Sequence, residues 1–208
     1  MDRYNLGIVN ESLYFLESAL LIKKYHTAGS WDDVKVMVKE ENLLQKIHTR
    51  TSQKISGEVI KRVKSAYPWE LEEIIKSEDP EDWRFITLAF TARHYRILLD
   101  VIVNIIHYKW QGGDLILENY EIPSYIDSLK PDHPELLEIT KRSMEDLLST
   151  LKRNIKDGGL LVKSEGSALK ITKPRISHRL RQQYLDEGSV DDLKLLLLKD
   201  NEIKKARS

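Results

Sequence analysis

The sequence contains no cysteine among its 208 residues. This absence excludes disulfide bonds and any zinc site built on cysteine ligands. It also suits a reducing compartment, so we expect a cytoplasmic protein. The N-terminal residues show no basic stretch followed by an apolar run, so we expect no signal peptide.

The chain also lacks an excess of charge of either sign. Lysine and arginine total 33 residues, aspartate and glutamate total 33, and the formal net charge is zero. A protein that coats nucleic acid over its whole surface is usually basic, so nucleic acid can be bound here only through local patches. Hydrophobic residues make up 41% of the chain, which is enough for a buried core.

A long apolar run without charge is missing as well. The most apolar segment, residues 85–106, contains Arg93, Arg96 and Asp100 near its middle. A membrane-spanning helix needs about 20 residues that are almost free of charge. The segment is therefore predicted to form a buried helix pair, and no membrane is expected as a partner.

Sequence motifs of catalysis are absent. The six histidines show no metal-binding spacing such as HExxH, and neither a phosphate-binding glycine loop nor a GxSxG nucleophile occurs. His94 and His107 are expected to be hydrogen-bonded core residues. We therefore expect a protein that is not an enzyme and that has no metal, no cofactor and no small-molecule substrate, although a site assembled from distant residues would leave no motif.

The segment 30–67 has the pattern of a helix-turn-helix. Ser30 and Asp33 have capping-box spacing before a helix that directs Val34 and Val38 inward, followed by Leu43 and Leu44. Residues 48–52 are predicted to be a polar joint. The second helix then has one apolar face, made of Ile55, Val59, Val63 and Tyr67.

The other face of this second helix is basic. Glu58 is the only acid between residues 46 and 64, and Gly57 lies on the basic side, where the backbone can approach another molecule closely. Helices of this kind bind DNA in helix-turn-helix proteins, but a lysine-rich face can also serve only solvation. The predicted DNA-binding residues of this segment are Lys46, Arg50, Thr51, Ser52, Lys54, Lys61, Arg62 and Lys64.

The C-terminal part has the order of a winged helix. A short helix at 122–129, a turn at 131–134 and a long helix at 135–156 precede a predicted hairpin with arms 160–163 and 168–172 and a turn at 164–167. The hairpin lysines either contact nucleic acid or only protect an edge strand. The predicted DNA-binding residues here are Lys141, Arg142, Lys163, Lys170, Lys173 and Arg175.

The expected fold is mainly α, a helical bundle with a helix-turn-helix-like N-terminal part and a winged-helix-like C-terminal part with one β-hairpin. Its predicted domains are residues 1–114 and 115–208, the second ending in a tail helix from 191. An acidic stretch at residues 70–82 is either a solvated surface or a docking face for a basic partner.

One further pattern consists of positions scattered over roughly residues 10 to 165. They are Trp31, Glu41-Asn42-Leu43-Leu44, Thr51-Ser52, Ile55, Val59, Leu88-Ala89, Tyr95, Asp100 to Lys109 and Asp157-Gly158-Gly159-Leu160-Leu161. At these positions the sequence resembles the BrxA family, the small accessory proteins of bacteriophage-exclusion (BREX) defence systems.

This resemblance implies a cytoplasmic bacterial protein that is mostly helical and not an enzyme. It implies action against phage beside the methyltransferase, ATPase and phosphatase-like components of the system, and binding to double-stranded DNA. Two alternatives stay open: a protein–protein adaptor within the defence complex, using residues 70–82 and the apolar tail, and an RNA-binding helical factor.

Overall fold

The computed structural model describes residues 3–164 and 168–208, and within them the protein is mainly helical, as predicted. It consists of two compact units. One is Leu13–His94, and the other combines the N-terminal residues up to Ser12 with Tyr95–Ser208. This division differs from the predicted domains 1–114 and 115–208. The chain changes unit at Tyr95, where the backbone leaves the helical conformation (φ −113°, ψ 87°).

The N-terminal residues belong to the second unit because Tyr4 is held there by three contacts. Its backbone N–H donates to Glu135 Oε1 at 2.6 Å and its hydroxyl donates to Asp100 at 2.6 Å. Its ring stacks on His133 at 4.0 Å. Burial, together with the bond to the Asp100 carboxylate, raises the pKa of the Tyr4 hydroxyl above its ordinary value, so this hydroxyl stays a donor.

The first unit is a set of helices packed around α1. Its elements are α1 (Phe15–Ala28), α2 (Trp31–Glu40), α3 (Thr49–Val63), α4 (Pro68–Lys76) and α5 (Pro80–His94). Helix α1 contacts each of the other four. The core includes Ile22, Val38, Val59 and Phe85, each at most 1% exposed.

The predicted helix pair is present, but its joint lies elsewhere. Ser30 caps α2, its hydroxyl accepting the Asp33 backbone N–H at 3.1 Å, as predicted. Helix α2 ends at Glu40, and the predicted joint at 48–52 is wrong because α3 begins at Thr49. The connection is residues 41–48, where Asn42 and Gln45 adopt left-handed backbone angles. It is longer than the three or four residues usual for a helix-turn-helix.

The second unit is helical with one small sheet. It opens with a 3-10 turn at Leu6–Ile8. Its further elements are α6 (Arg96–Val101), a π-helix (Ile102–His107), α7 (Tyr108–Gly112), β1 (Ile116–Leu117), α8 (Glu121–Leu129), α9 (Glu135–Glu138), α10 (Lys141–Asp157), β2 (Leu161–Lys163), β3 (Leu169–Ile171), α11 (His178–Glu187), α12 (Val190–Leu195) and α13 (Asp200–Ala206).

The predicted hairpin is confirmed. Strands β2 and β3 pair antiparallel, with Val162 opposite Lys170 and Lys163 opposite Leu169. The predicted turn residues 165–167 lie outside the described part of the chain. A third strand, β1, pairs with the other side of β3, so the strand order is β1-β3-β2. This strand was not predicted, because two residues are too few to show an alternation of apolar and polar side chains.

Two predicted helices are each divided in the structure. The long helix predicted at 135–156 is α9 followed by α10, because the Thr140 hydroxyl caps α10 by accepting the Ser143 N–H at 3.1 Å. Leu137, predicted to point inward, is 64% exposed. The tail predicted as one helix from 191 is α12 and α13, separated near Leu197, which has a φ of +53°.

A buried ion pair fixes the start of α4. Glu70 is fully buried, accepts the Tyr67 backbone N–H at 2.8 Å and is paired with the Arg93 guanidinium. Arg93 in turn donates to the Ser65 carbonyl at 2.9 Å. Removing one partner of a buried pair leaves an uncompensated charge, which is costly.

We therefore expect Glu70→Ala to lower the free energy of unfolding by about 3 kcal/mol, measured by chemical denaturation. Glu72→Ala is the matched control, because Glu72 lies on the same helix but is 62% exposed and pairs with the exposed Lys76. A much smaller loss is expected for the control. Equal losses in the two variants would contradict the structural role given to Glu70.

Candidate nucleic-acid interface

A row of cationic side chains follows the solvent side of α3. Arg50, Lys54 and Lys61 are exposed, and Gly57 lies between the two lysines. The steps of four, three and four residues place them on one helical face. Exposed Lys64 continues the row at the C-cap. We call Arg50, Lys54, Gly57, Lys61 and Lys64 the α3 stripe.

The opposite side of α3 forms the core contact. Ile55, Val59 and Val63 are 5%, 0% and 6% exposed, as their spacing predicted. Helix α3 packs against α1, α2 and α5. The stripe therefore lies on the side away from this packing, which is what a surface-binding helix requires.

Two of the predicted DNA-binding residues are buried, and the prediction for them is wrong. Arg62 is 1% exposed and Ser52 is fully buried. Arg62 Nε donates to Glu58 Oε1 at 2.8 Å, and its Nη1 donates to the Leu13 carbonyl at 3.4 Å. The spacing of Glu58 and Arg62, four residues apart, was the available signal that this arginine is paired within the fold.

Other predicted residues have part of their charge engaged within the unit. Lys46 lies in the connection before α3, is half-buried and binds Glu17 at 2.8 Å. Lys61 is 68% exposed and its ammonium lies 3.8 Å from the Glu58 carboxylate. Thr51 is exposed and lines a surface depression of about 590 Å³ with His48, Arg50 and Lys54.

The start of α3 carries no acidic residue in its first turn. The N-terminus of a helix has a partial positive charge and unpaired N–H groups, which favour anions. Arg50 lies in this first turn, so its positive charge and the partial positive charge of the helix end both attract anions.

Among the predicted basic residues of the second unit, the two lysines of the hairpin do not share one surface. Lys141 and Arg142 are exposed in the first turn of α10. Lys163 and Lys170 are both exposed, but the register pairs Lys163 with Leu169. Because neighbouring strand residues point to opposite faces, the two lysines lie on opposite faces of the sheet.

The remaining two predicted residues follow β3. Lys173 is half-buried, with its ammonium 5.5 Å from the centroid of the Trp110 ring. Arg175 is exposed. The assignment of this unit as a winged helix stays a prediction.

The two histidines of the apolar region, His94 and His107, lie next to hydrogen-bonding groups of the protein. His107 is buried and its Nε2 lies 2.8 Å from the Leu198 carbonyl, whereas His94 Nδ1 lies 3.4 Å from the Ser65 hydroxyl. Burial lowers the pKa of both imidazoles below the ordinary value. Within residues 3–164 and 168–208, no group of three or more histidine and acidic side chains is placed to hold a metal ion.

No helix in the described part of the chain combines the length and the apolar character needed to cross a bilayer. The apolar segment 85–106 is divided among α5, α6 and the π-helix. Its side chains Phe90, Ile97 and Ile102 are fully buried.

Together, these features define a mainly helical protein with a small antiparallel sheet and an exposed cationic helix face. The sequence model of the BrxA family matches residues 2–188, so the chain belongs to the BrxA family and is a BREX defence-associated protein. A comparison with curated proteins found no match.

The fold has a counterpart of known structure. An uncharacterized protein from Magnetospirillum magneticum, solved by crystallography, is similar with a TM-score of 0.71 and 15% sequence identity. The similarity covers 94% of this chain and 98% of that chain. At this identity the likeness concerns the fold alone.

Gly57 in the α3 stripe should weaken the helix that carries it. A Cβ added there would meet nothing within 4 Å, and its backbone is helical. Glycine inside a helix is less favourable than alanine by about 0.5–1 kcal/mol. We therefore expect Gly57→Ala to raise the free energy of unfolding by about this amount, measured by chemical denaturation.

Gly29, in the same unit, is the matched control. A Cβ there also meets nothing, but its φ is +78°. Gly29→Ala is expected to destabilise by about 1 kcal/mol, because L-residues avoid the left-handed region. Destabilisation by Gly57→Ala would show that the glycine has a role within the folded chain.

Proposed function

We propose that this protein is a DNA-binding accessory protein of a BREX system, that it is not an enzyme, and that the α3 stripe contacts the phosphate backbone of duplex DNA. The observation that supports this most is the alignment of Arg50, Lys54 and Lys61 on the exposed side of a helix. Their opposite side is anchored by Val59, which is fully buried. The cations are thus presented by a fixed element.

The length of the stripe suits a polyanion. From residue 50 to residue 61 the helix rises by about 16 Å at 1.5 Å per residue. Duplex DNA carries one negative charge per about 1.7 Å of its axis, so several phosphates lie within that length. Since the whole chain has zero net charge, the attraction is local and should depend strongly on salt.

The adaptor alternative has less support. Three acids of the stretch 70–82 are buried, namely Glu70, Glu73 and Asp82. The apolar tail is also buried, since Leu193, Leu196 and Leu197 are fully covered. Both surfaces that an adaptor would use are therefore smaller than the sequence indicated.

A second DNA contact through the other unit is part of the proposal. Lys141 and Arg142 at the start of α10 and Arg175 after β3 are exposed. Lys163 and Lys170 cannot both face one duplex through the same side of the sheet. At most one of these two lysines is expected to take part.

The test is a charge reversal at two positions of the stripe. Lys54→Glu with Lys61→Glu should weaken binding to a duplex DNA fragment at least tenfold at low salt, because two attractive contacts become repulsive. Binding is measured by fluorescence anisotropy. Circular dichroism should show an unchanged fold, since both side chains are exposed.

The control is Lys76→Glu with Lys204→Glu, which changes the net charge equally at two other exposed lysines. It should bind nearly as wild type does. Unchanged binding in the Lys54/Lys61 variant would reject the α3 stripe. Wild-type protein that binds no duplex DNA but co-purifies with other defence components would favour the adaptor, and displacement by structured RNA would favour the RNA-binding alternative.

A further inference from the structure

A groove runs between α2 and α3 beside the stripe. Its volume is about 320 Å³, and all of its walls belong to the Leu13–His94 unit. Helices α2 and α3 pack against each other, so the two walls are held together. The lining residues are Lys35, Val36 and Lys39 from α2, and Gln53, Ser56 and Gly57 from α3.

The fold itself gives no reason for glycine at the groove. Gly57 lies inside α3 with helical geometry, and a Cβ would meet open space. Glycine is therefore required neither by a backbone angle nor by a packed neighbour, although it weakens the helix. What its missing side chain provides is access to the backbone of α3 from outside.

The chemistry of the groove favours an anionic strand. Its six lining residues include two lysines, two neutral polar side chains and no carboxylate. Lys39 is exposed, and Lys35 is 54% exposed while it binds Asp32 at 2.8 Å. Lys54 and Lys61 of the stripe lie one turn on either side of Gly57 along α3.

One apolar side chain completes the surface. Val36 is 51% exposed although it is a large hydrophobic residue on a packed helix. A phosphate–sugar backbone presents both anionic oxygens and apolar sugar carbons, so lysines beside a valine match it better than they match a simple anion.

We propose that one phosphate–sugar strand of duplex DNA lies in this groove and approaches the backbone of α3 at Gly57, with Lys39 and Lys35 contacting it from α2. The proposal rests on the proposed DNA-binding function and adds α2 to the interface. It adds Lys35, Val36, Lys39 and Gln53 to the DNA contacts, four residues that charge spacing did not predict, whereas Ser56 lines the groove but is buried.

The test is a size series at Gly57, since these substitutions change no charge. Gly57→Gln should weaken binding to a duplex DNA fragment about tenfold, and Gly57→Ala should weaken it less, although neither lowers the thermal midpoint of unfolding. The slope of log Kd against log salt should fall by about 0.9 for each phosphate that the variant no longer neutralises. Lys39→Gln should lower the slope in the same way.

The matched control is Gly112→Gln, at another helical glycine whose Cβ meets nothing. It should bind as wild type does. If Gly57→Gln binds like wild type while the Lys54/Lys61 reversal abolishes binding, the groove is wrong and the α3 stripe stands. If wild-type protein binds no duplex DNA, both proposals fall, and if Gly57→Gln affects only RNA binding, the proposed occupant is wrong.

Discussion

The contacts that α3 makes through its buried side determine which side of this helix faces solvent. Arg62 is buried, donates to Glu58 at 2.8 Å and reaches the Leu13 carbonyl just before α1. Glu58 and Arg62 lie on the same helix and stay paired if α3 rotates, but rotation would break the contact of Arg62 with Leu13, which lies outside α3. Ile55 and Val59 are also buried. The α3 stripe lies on the opposite side of the helix and therefore faces solvent.

This constraint separates two uses of positive charge within one helix. Arg62 stabilises the fold, whereas Lys54 and Lys61 are displayed to solvent. Gly57 lies between these two exposed lysines. It lowers the stability of the helix although no neighbouring atom requires a glycine there, which is consistent with a role in contacts to another molecule. Membership of the BrxA family places the chain in BREX defence. A DNA-contacting helix is a proposed role within that setting.

The sequence predicted what depends on periodicity and local caps. The apolar face of Ile55, Val59 and Val63 and the Ser30 cap are both present in the structure. The hairpin arms also pair as expected. These features are local, so short stretches of chain are enough to define them.

What the sequence could not predict depends on contacts far along the chain. No glycine or proline marks the connection 41–48, where Asn42 and Gln45 take left-handed angles instead, so the joint was placed too late. Strand β1 is two residues long and becomes a strand only by pairing with β3. Of the candidate site, the exposed cations of the α3 stripe were identified, but Ser52 was assigned to the joint, whereas it lies in α3 on the buried side with Ile55 and Val59.

Lysine-reactivity footprinting on the wild-type protein, with and without a duplex DNA fragment, is the most direct test of DNA contact through the α3 stripe. We predict that added duplex protects Lys39, Lys54 and Lys61 from acetylation, while exposed Lys76 and Lys204 stay reactive. Protection should disappear at high salt, because the contacts are made to phosphates. Bound DNA that leaves Lys54 and Lys61 fully reactive would contradict this role of the stripe.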